Sequence, residues 1–116
     1  MMRGDVVIAE FPYTDGRKGE NRPALVVQND RDNVRMANTI IAMISGNVRH
    51  AQEPAQTLVD PDSKQGASSG LHGRSVVKCA SLYTVRQQDI LRIIGHLDLE
   101  LQASVDRALK SALGLS

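Results

Sequence analysis

Most of this chain is written in short β-branched and apolar runs that stop at turn residues, a punctuation that favours strands and leaves little room for long helices. Asp5–Phe11 opens after Gly4 and ends at Pro12. Pro23–Gln28 resumes the pattern, Asn29–Asn33 breaks it, and Asn38–Ser45 is the longest strand-like run. Gln56–Asp60 and Ser75–Cys79 read as two more strands, separated by the polar, Gly- and Ser-rich loop Asp60–Gly70. Leu82–Val85 and Leu91–Gly95 read as short strands around a turn holding Gln87, Gln88 and Asp89.

Only the last segment changes period. Leu97, Leu101, Val105, Leu109 and Ala112 recur every three or four residues, Asp98 is placed to cap a helix and Gly114 to end it. Several short strands with one amphipathic C-terminal helix predict a mainly β fold, a curled and mostly antiparallel sheet or small barrel covered by that helix. At 116 residues the chain has the length of one domain, and burial of roughly two thirds of its unfolded surface lets such a domain stand without disulfide or metal.

Other classes are disfavoured. The single cysteine, Cys79, has no internal partner and sits in an apolar run, so it reads as a buried thiol in a reducing compartment, the cytoplasm. No charged-then-apolar leader opens the sequence, and no apolar stretch nears the roughly 18 residues of a membrane span. Net charge is +1, so any nucleic-acid site must be a local patch rather than a whole-protein field. His50, His72 and His96 are scattered, with no Cys-x-x-Cys or His-Glu-x-x-His spacing, so no metal is expected; neither phosphate-cradling glycine motif nor nucleophile elbow is present, so no cofactor is expected.

What remains is the loop Gly16-Arg-Lys-Gly-Glu-Asn-Arg22, which places Arg17, Lys18, Asn21 and Arg22 beside glycines just ahead of Pro23. Arginine suits phosphate because its planar fork donates two parallel hydrogen bonds and stays charged. Tyr13 has two readings, a platform for a base or an ordinary packed aromatic, while Phe11 reads as core. From this motif alone a solvated basic loop is the simpler reading, and composition leaves both readings open.

Arg3-Gly-Asp-Val-Val, Asn21-Arg-Pro-Ala-Leu-Val-Val-Gln-Asn-Asp30 and Ile41-Ala-Met-Ile-Ser45, in that order and spacing, resemble successive motifs of the MazF/PemK toxin family. Gly70–Lys78, Tyr83-Thr-Val85, Ile94-Gly-His-Leu97 and the closing helix follow the same pattern. The resemblance implies an SH3-like barrel that forms a homodimer and acts as a metal-independent endoribonuclease on single-stranded RNA at short sequences. It also implies a partner, the cognate antitoxin of a type II toxin–antitoxin pair, whose disordered acidic and apolar tail lies across the groove. The family's catalytic arginine falls on Arg22 and its catalytic hydroxyl on Ser45, with Arg17, Lys18 and Asn21 as RNA contacts.

On that reading RNA supplies its own nucleophile, the 2′-hydroxyl, and the protein orients it and stabilises phosphoryl charge. A guanidinium is a poor base, and the sequence names none; His50 and His72 titrate in the right range but read as loop residues, and His96 as structural. Lys78-Cys-Ala-Ser81 departs from the family where an acidic or polar residue is common, which puts base selectivity in question. The alternative, a non-catalytic toxin of the same fold such as a gyrase-binding CcdB protein, relies on a C-terminal tryptophan, and this chain has no Trp.

Overall fold

In the computed structural model, which describes residues 1–11 and 19–116, six strands form one antiparallel sheet and a C-terminal helix covers part of it. The elements are β1 (Asp5–Phe11), β2 (Glu20–Val26), α1 (Asp30–Arg35), β3 (Asn38–Ser45), β4 (Gln56–Val59), β5 (Ser75–Arg86), a single 3-10 turn at Gln87–Asp89, β6 (Arg92–His96) and α2 (Leu99–Leu113). Across the sheet the order is β4-β5-β3-β2-β1-β6. The expected mainly β fold with a C-terminal helix is therefore the one observed.

Side chains alternate along each strand, so the sheet has two faces, and both carry a core. One face buries Val6, Leu25, Ala42, Ile44 and Val77 together with Leu97 and the α2 residues Val105 and Ala108. The other buries Val7, Ala9, Phe11, Ala24, Val26 and Ile41. Strands buried on both faces need apolar residues at consecutive positions, which is why Val6-Val7 and Ala24-Leu25-Val26 do not alternate with polar residues. Phe11 of β1 packs edge-on to Tyr83 of β5, ring centroids 4.9 Å apart. Two strands lie between them in the sheet, so the sheet curls into a half-barrel around the second core.

Two local differences from the sequence reading have clear causes. The runs Ser75–Cys79 and Leu82–Val85 belong to one 12-residue strand. Its register slips where Ala42 faces Leu82 but Met43 faces Lys78, leaving Cys79, Ala80 and Ser81 unmatched on β3; such a bulge bends the strand and breaks its pattern. The segment after Asn29 is the short helix α1 rather than a turn. Asn29 caps it by accepting a hydrogen bond from the Asp32 backbone, 2.9 Å, and the helix is anchored through buried Asn33, which donates to the Gln28 carbonyl at 2.9 Å and accepts from Thr39 Oγ1 at 2.7 Å. A polar anchor gives no apolar period to read.

The helix α2 starts and ends where the sequence places it. Asp98 accepts from the Leu101 backbone at 2.9 Å, and Gly114 closes the helix in the left-handed region at φ 71°. Helix and sheet are tied by Arg3 to Asp106, 2.6 Å, and by Gln102, which donates to the Leu97 carbonyl at 2.9 Å. His96 Nδ1 lies 2.8 Å from Asp5 Oδ1, the structural role expected of it. Among the described residues no helix is long and apolar enough to cross a membrane.

Candidate active site

Arg22 and Ser45 come from neighbouring strands. Arg22 pairs with Ala9 of β1, and Ser45 ends β3 opposite Val76 of β5. The β2–β3 register pairs Ala24 with Met43; carried on by two residues, it sets Arg22 opposite Ser45. No β2–β3 pair forms before Ala24, at the point where Pro23 has no N–H to contribute to a ladder. The two side chains thus share one face of the sheet, that of Ala24 and Val26, at the end where the strands part.

Both are accessible. The Arg22 side chain is 41% exposed and its Nη2 lies 3.0 Å from Glu20 Oε2. Ser45 is half-buried, and its Oγ accepts from the Asn47 backbone at 3.1 Å. A hydroxyl that accepts still has its own proton to donate, so Ser45 can serve a phosphate oxygen without losing its turn contact. A fixed cation and a hydroxyl donor on one open face are a phosphate-binding pair.

Asn21 is exposed on β2 opposite Glu10, and alternation puts it on the other face of the strand from Arg22. Arg17 and Lys18, expected as RNA contacts, and Tyr13 lie outside the described residues. His50 and His72 are exposed on loops. Sequence reasoning had no role for Lys78, yet the register gives it one: Val76 faces Ser45 and Lys78 faces Met43, so half-buried Lys78 stands two residues along the same face as Ser45. The signal was the departure from the family pattern at 78–81, whose geometric meaning needs the sheet register. Its neighbour Cys79 is buried on the opposite face, and desolvation pushes that thiol up to about 11, too high for a thiolate nucleophile at neutral pH.

Residues 2–113 match the family described as PemK-like, MazF-like toxin of type II toxin-antitoxin system. Endoribonuclease EndoA of Bacillus subtilis (strain 168) is 35% identical over 114 residues, covering 97% of this chain and 94% of its own. The Mycobacterium tuberculosis toxin MazF-mt6 superposes with a TM-score of 0.77 at 26% identity, over 97% of this chain and 98% of its own. An endoribonuclease from a Mycobacterial species, solved in complex with its cognate antitoxin, shares the fold with a TM-score of 0.80 at 21% identity, over 100% of this chain and 97% of its own. The family match over nearly the whole length, with the fold and the Arg22–Ser45 face already in place, means that this chain belongs to the PemK-like, MazF-like toxins of type II toxin–antitoxin systems.

Proposed function

We propose that this chain is the endoribonuclease toxin of its toxin–antitoxin pair and cuts single-stranded RNA, mRNA above all, at short sequences, using Arg22 and Ser45 and the substrate's own 2′-hydroxyl. The observation that carries this is the register that brings a partly exposed arginine and a serine hydroxyl onto one open sheet face. In the reaction the 2′-oxygen attacks phosphorus in line, the bond from phosphorus to the 5′-oxygen breaks, and the products are a 2′,3′-cyclic phosphate and a 5′-hydroxyl. The 2′-hydroxyl proton leaves to a base and the departing 5′-oxygen gains one. Arg22 offsets charge on the non-bridging oxygens as it develops, and Ser45 donates to one of them and holds it in line. Half-buried Lys78 adds positive charge to the same face.

Residues 1–116 act as one toxin domain, and two copies form a homodimer whose groove doubles the cations available to a polyanion. Arg17, Lys18 and Asn21 contact the RNA from the loop side. A cognate antitoxin with an acidic tail competes for the same charges. The free, buried Cys79 suits a protein working in the reducing cytoplasm.

The test is incubation of the protein with a long mixed-sequence RNA, with and without EDTA, mapping cut positions and end groups beside Arg22→Ala. Discrete cuts with 5′-hydroxyl ends, unchanged by EDTA and lost in the variant, are expected. A magnesium requirement, or cutting that survives the substitution, would overturn the mechanism.

A further inference from the structure

Next to this face, but across the sheet from it, the structure holds a cavity of about 320 Å³ lined in part by Ile8, Pro23, Leu71 and Ile94, with His72, Arg74 and Arg92 also on its walls. Resting on the reading above, we infer that this cavity is a nucleotide subsite, taking an unstacked RNA base next to the scissile step while Arg74 and Arg92 hold its phosphate.

The charge argues for a polyanion. Arg3, Arg22, Arg35 and Arg86 each hold a carboxylate. The side chains of His72, Arg74 and Arg92, all exposed, have no hydrogen-bond or ion-pair partner among the described residues, and no carboxylate of the described residues lines the cavity. Two arginines without a carboxylate around an apolar floor form the combination that stacks a base and grips the adjoining phosphate. The volume suits one nucleotide, at the small end of ligand pockets, and a base paired within a duplex does not present its faces to such a cavity. Selection of single-stranded RNA follows.

The walls are built rather than incidental. The 66–74 loop is docked on β6: the His96 backbone donates to the Ser68 carbonyl at 2.9 Å and Ser68 Oγ to the His96 carbonyl at 2.6 Å. Gly70, at φ +73°, sits against the Ile94 carbonyl, where an added Cβ would come within 2.0 Å of the oxygen.

The cavity and the candidate active site are joined through the chain, on opposite faces of the same strand ends. Pro23 and Gly46, which line it, directly follow Arg22 and Ser45 in the chain. A Cβ at Gly46 would meet nothing within 4 Å, so the backbone directly after Ser45 borders open space.

The double variant Arg74→Gln/Arg92→Gln, its fold checked by circular dichroism and melting, tests this in two arms. The first measures binding of a mixed-sequence single-stranded oligonucleotide with 2′-O-methyl groups, which cannot be cut. The expected result is affinity about tenfold weaker and a salt dependence shallower by about 0.7, for the one phosphate that the two arginines hold. Affinity and slope equal to the unsubstituted protein's would overturn the subsite, as would unchanged oligonucleotide binding with lost binding of an acidic peptide. The second arm uses cleavable RNA, where KM should rise with kcat held; a fall in kcat alone would equally overturn it. If the unsubstituted protein cuts no RNA, the proposed activity fails, while the first arm still decides the cavity.

Discussion

Arg22 Nη2 stands 3.0 Å from Glu20 Oε2, two residues back along the same face of β2, so the guanidinium proposed to meet the scissile phosphate already holds a carboxylate. A phosphate arriving there must displace or share it. Both side chains are roughly half exposed, and an ion pair of that kind contributes only about 0–1 kcal/mol to stability. Its effect is therefore on substrate rather than on folding. Glu20→Gln is expected to leave the melting temperature within about 2 °C and to lower KM for RNA several-fold, since a negative charge beside the substrate's own is removed. Steady-state cleavage and a thermal melt check both; a raised KM would mean that Glu20 orients Arg22 productively.

Ser45 separates two roles for a hydroxyl. If it donates to a phosphate oxygen, Ser45→Ala loses that donor, and the expected fall in kcat is about 10²–10³. Ser45→Thr keeps the donor on a strand end that accommodates β-branching, and should retain most of the rate. Single-turnover cleavage distinguishes them. Equal loss in both variants would point to packing rather than to hydrogen bonding.

Periodicity made β1, β3 and α2 legible, because strands buried on one or both faces and a helix with a buried stripe leave their spacing in the sequence. The helix α1 was not legible, since its anchor is the polar pair Gln28–Asn33 and its Val34 is 87% exposed. Of the candidate site, Arg22 and Ser45 were placed by family motifs and not by spacing. Their common face depends on a register that only strand pairing fixes. Lys78 and the Arg74–Arg92 pair escaped for the same reason: Lys78 joins the face of Ser45 only through the β3–β5 register, and Arg74, just ahead of β5, and Arg92, which opens β6, line one cavity only in the folded chain.

Cys79 gives the pH dependence a sign. Its thiol is raised from 9.0 to about 11, mainly by burial, with the Arg3 charge pulling it part of the way back. Below about pH 9 both folded and unfolded chains keep the proton, and the contribution to stability is fully present. Between about pH 9 and 11 the unfolded chain loses its proton first, binds fewer than the folded one, and stability falls. Denaturant titrations at pH 8 and pH 10.5 should show a loss in the parent that Cys79→Ala reduces. The same thiol should react with a disulfide reagent at neutral pH only on unfolding; rapid labelling of the native protein would contradict its burial.

Gly70 is the residue on which the wall of the cavity turns. Its φ of +73° lies in the left-handed region, and a Cβ would approach the Ile94 carbonyl oxygen to 2.0 Å and the carbonyl carbon to 2.7 Å. Backbone strain from the dihedral alone costs about 1–2 kcal/mol, and the overlap is with backbone, which cannot rotate aside. Gly70→Ala is therefore expected to lower the melting temperature by several degrees, or to push the 66–74 loop away from β6. By contrast Gly46→Ala, where an added Cβ meets nothing, should melt close to the parent. Hydrogen exchange distinguishes the two outcomes at Gly70. Faster exchange of the His96 amide, which donates to the Ser68 carbonyl at 2.9 Å, marks loop release, whereas uniform acceleration marks global destabilisation. Melting at the parent's temperature with a protected His96 amide would mean that the loop does not pack on β6 as described.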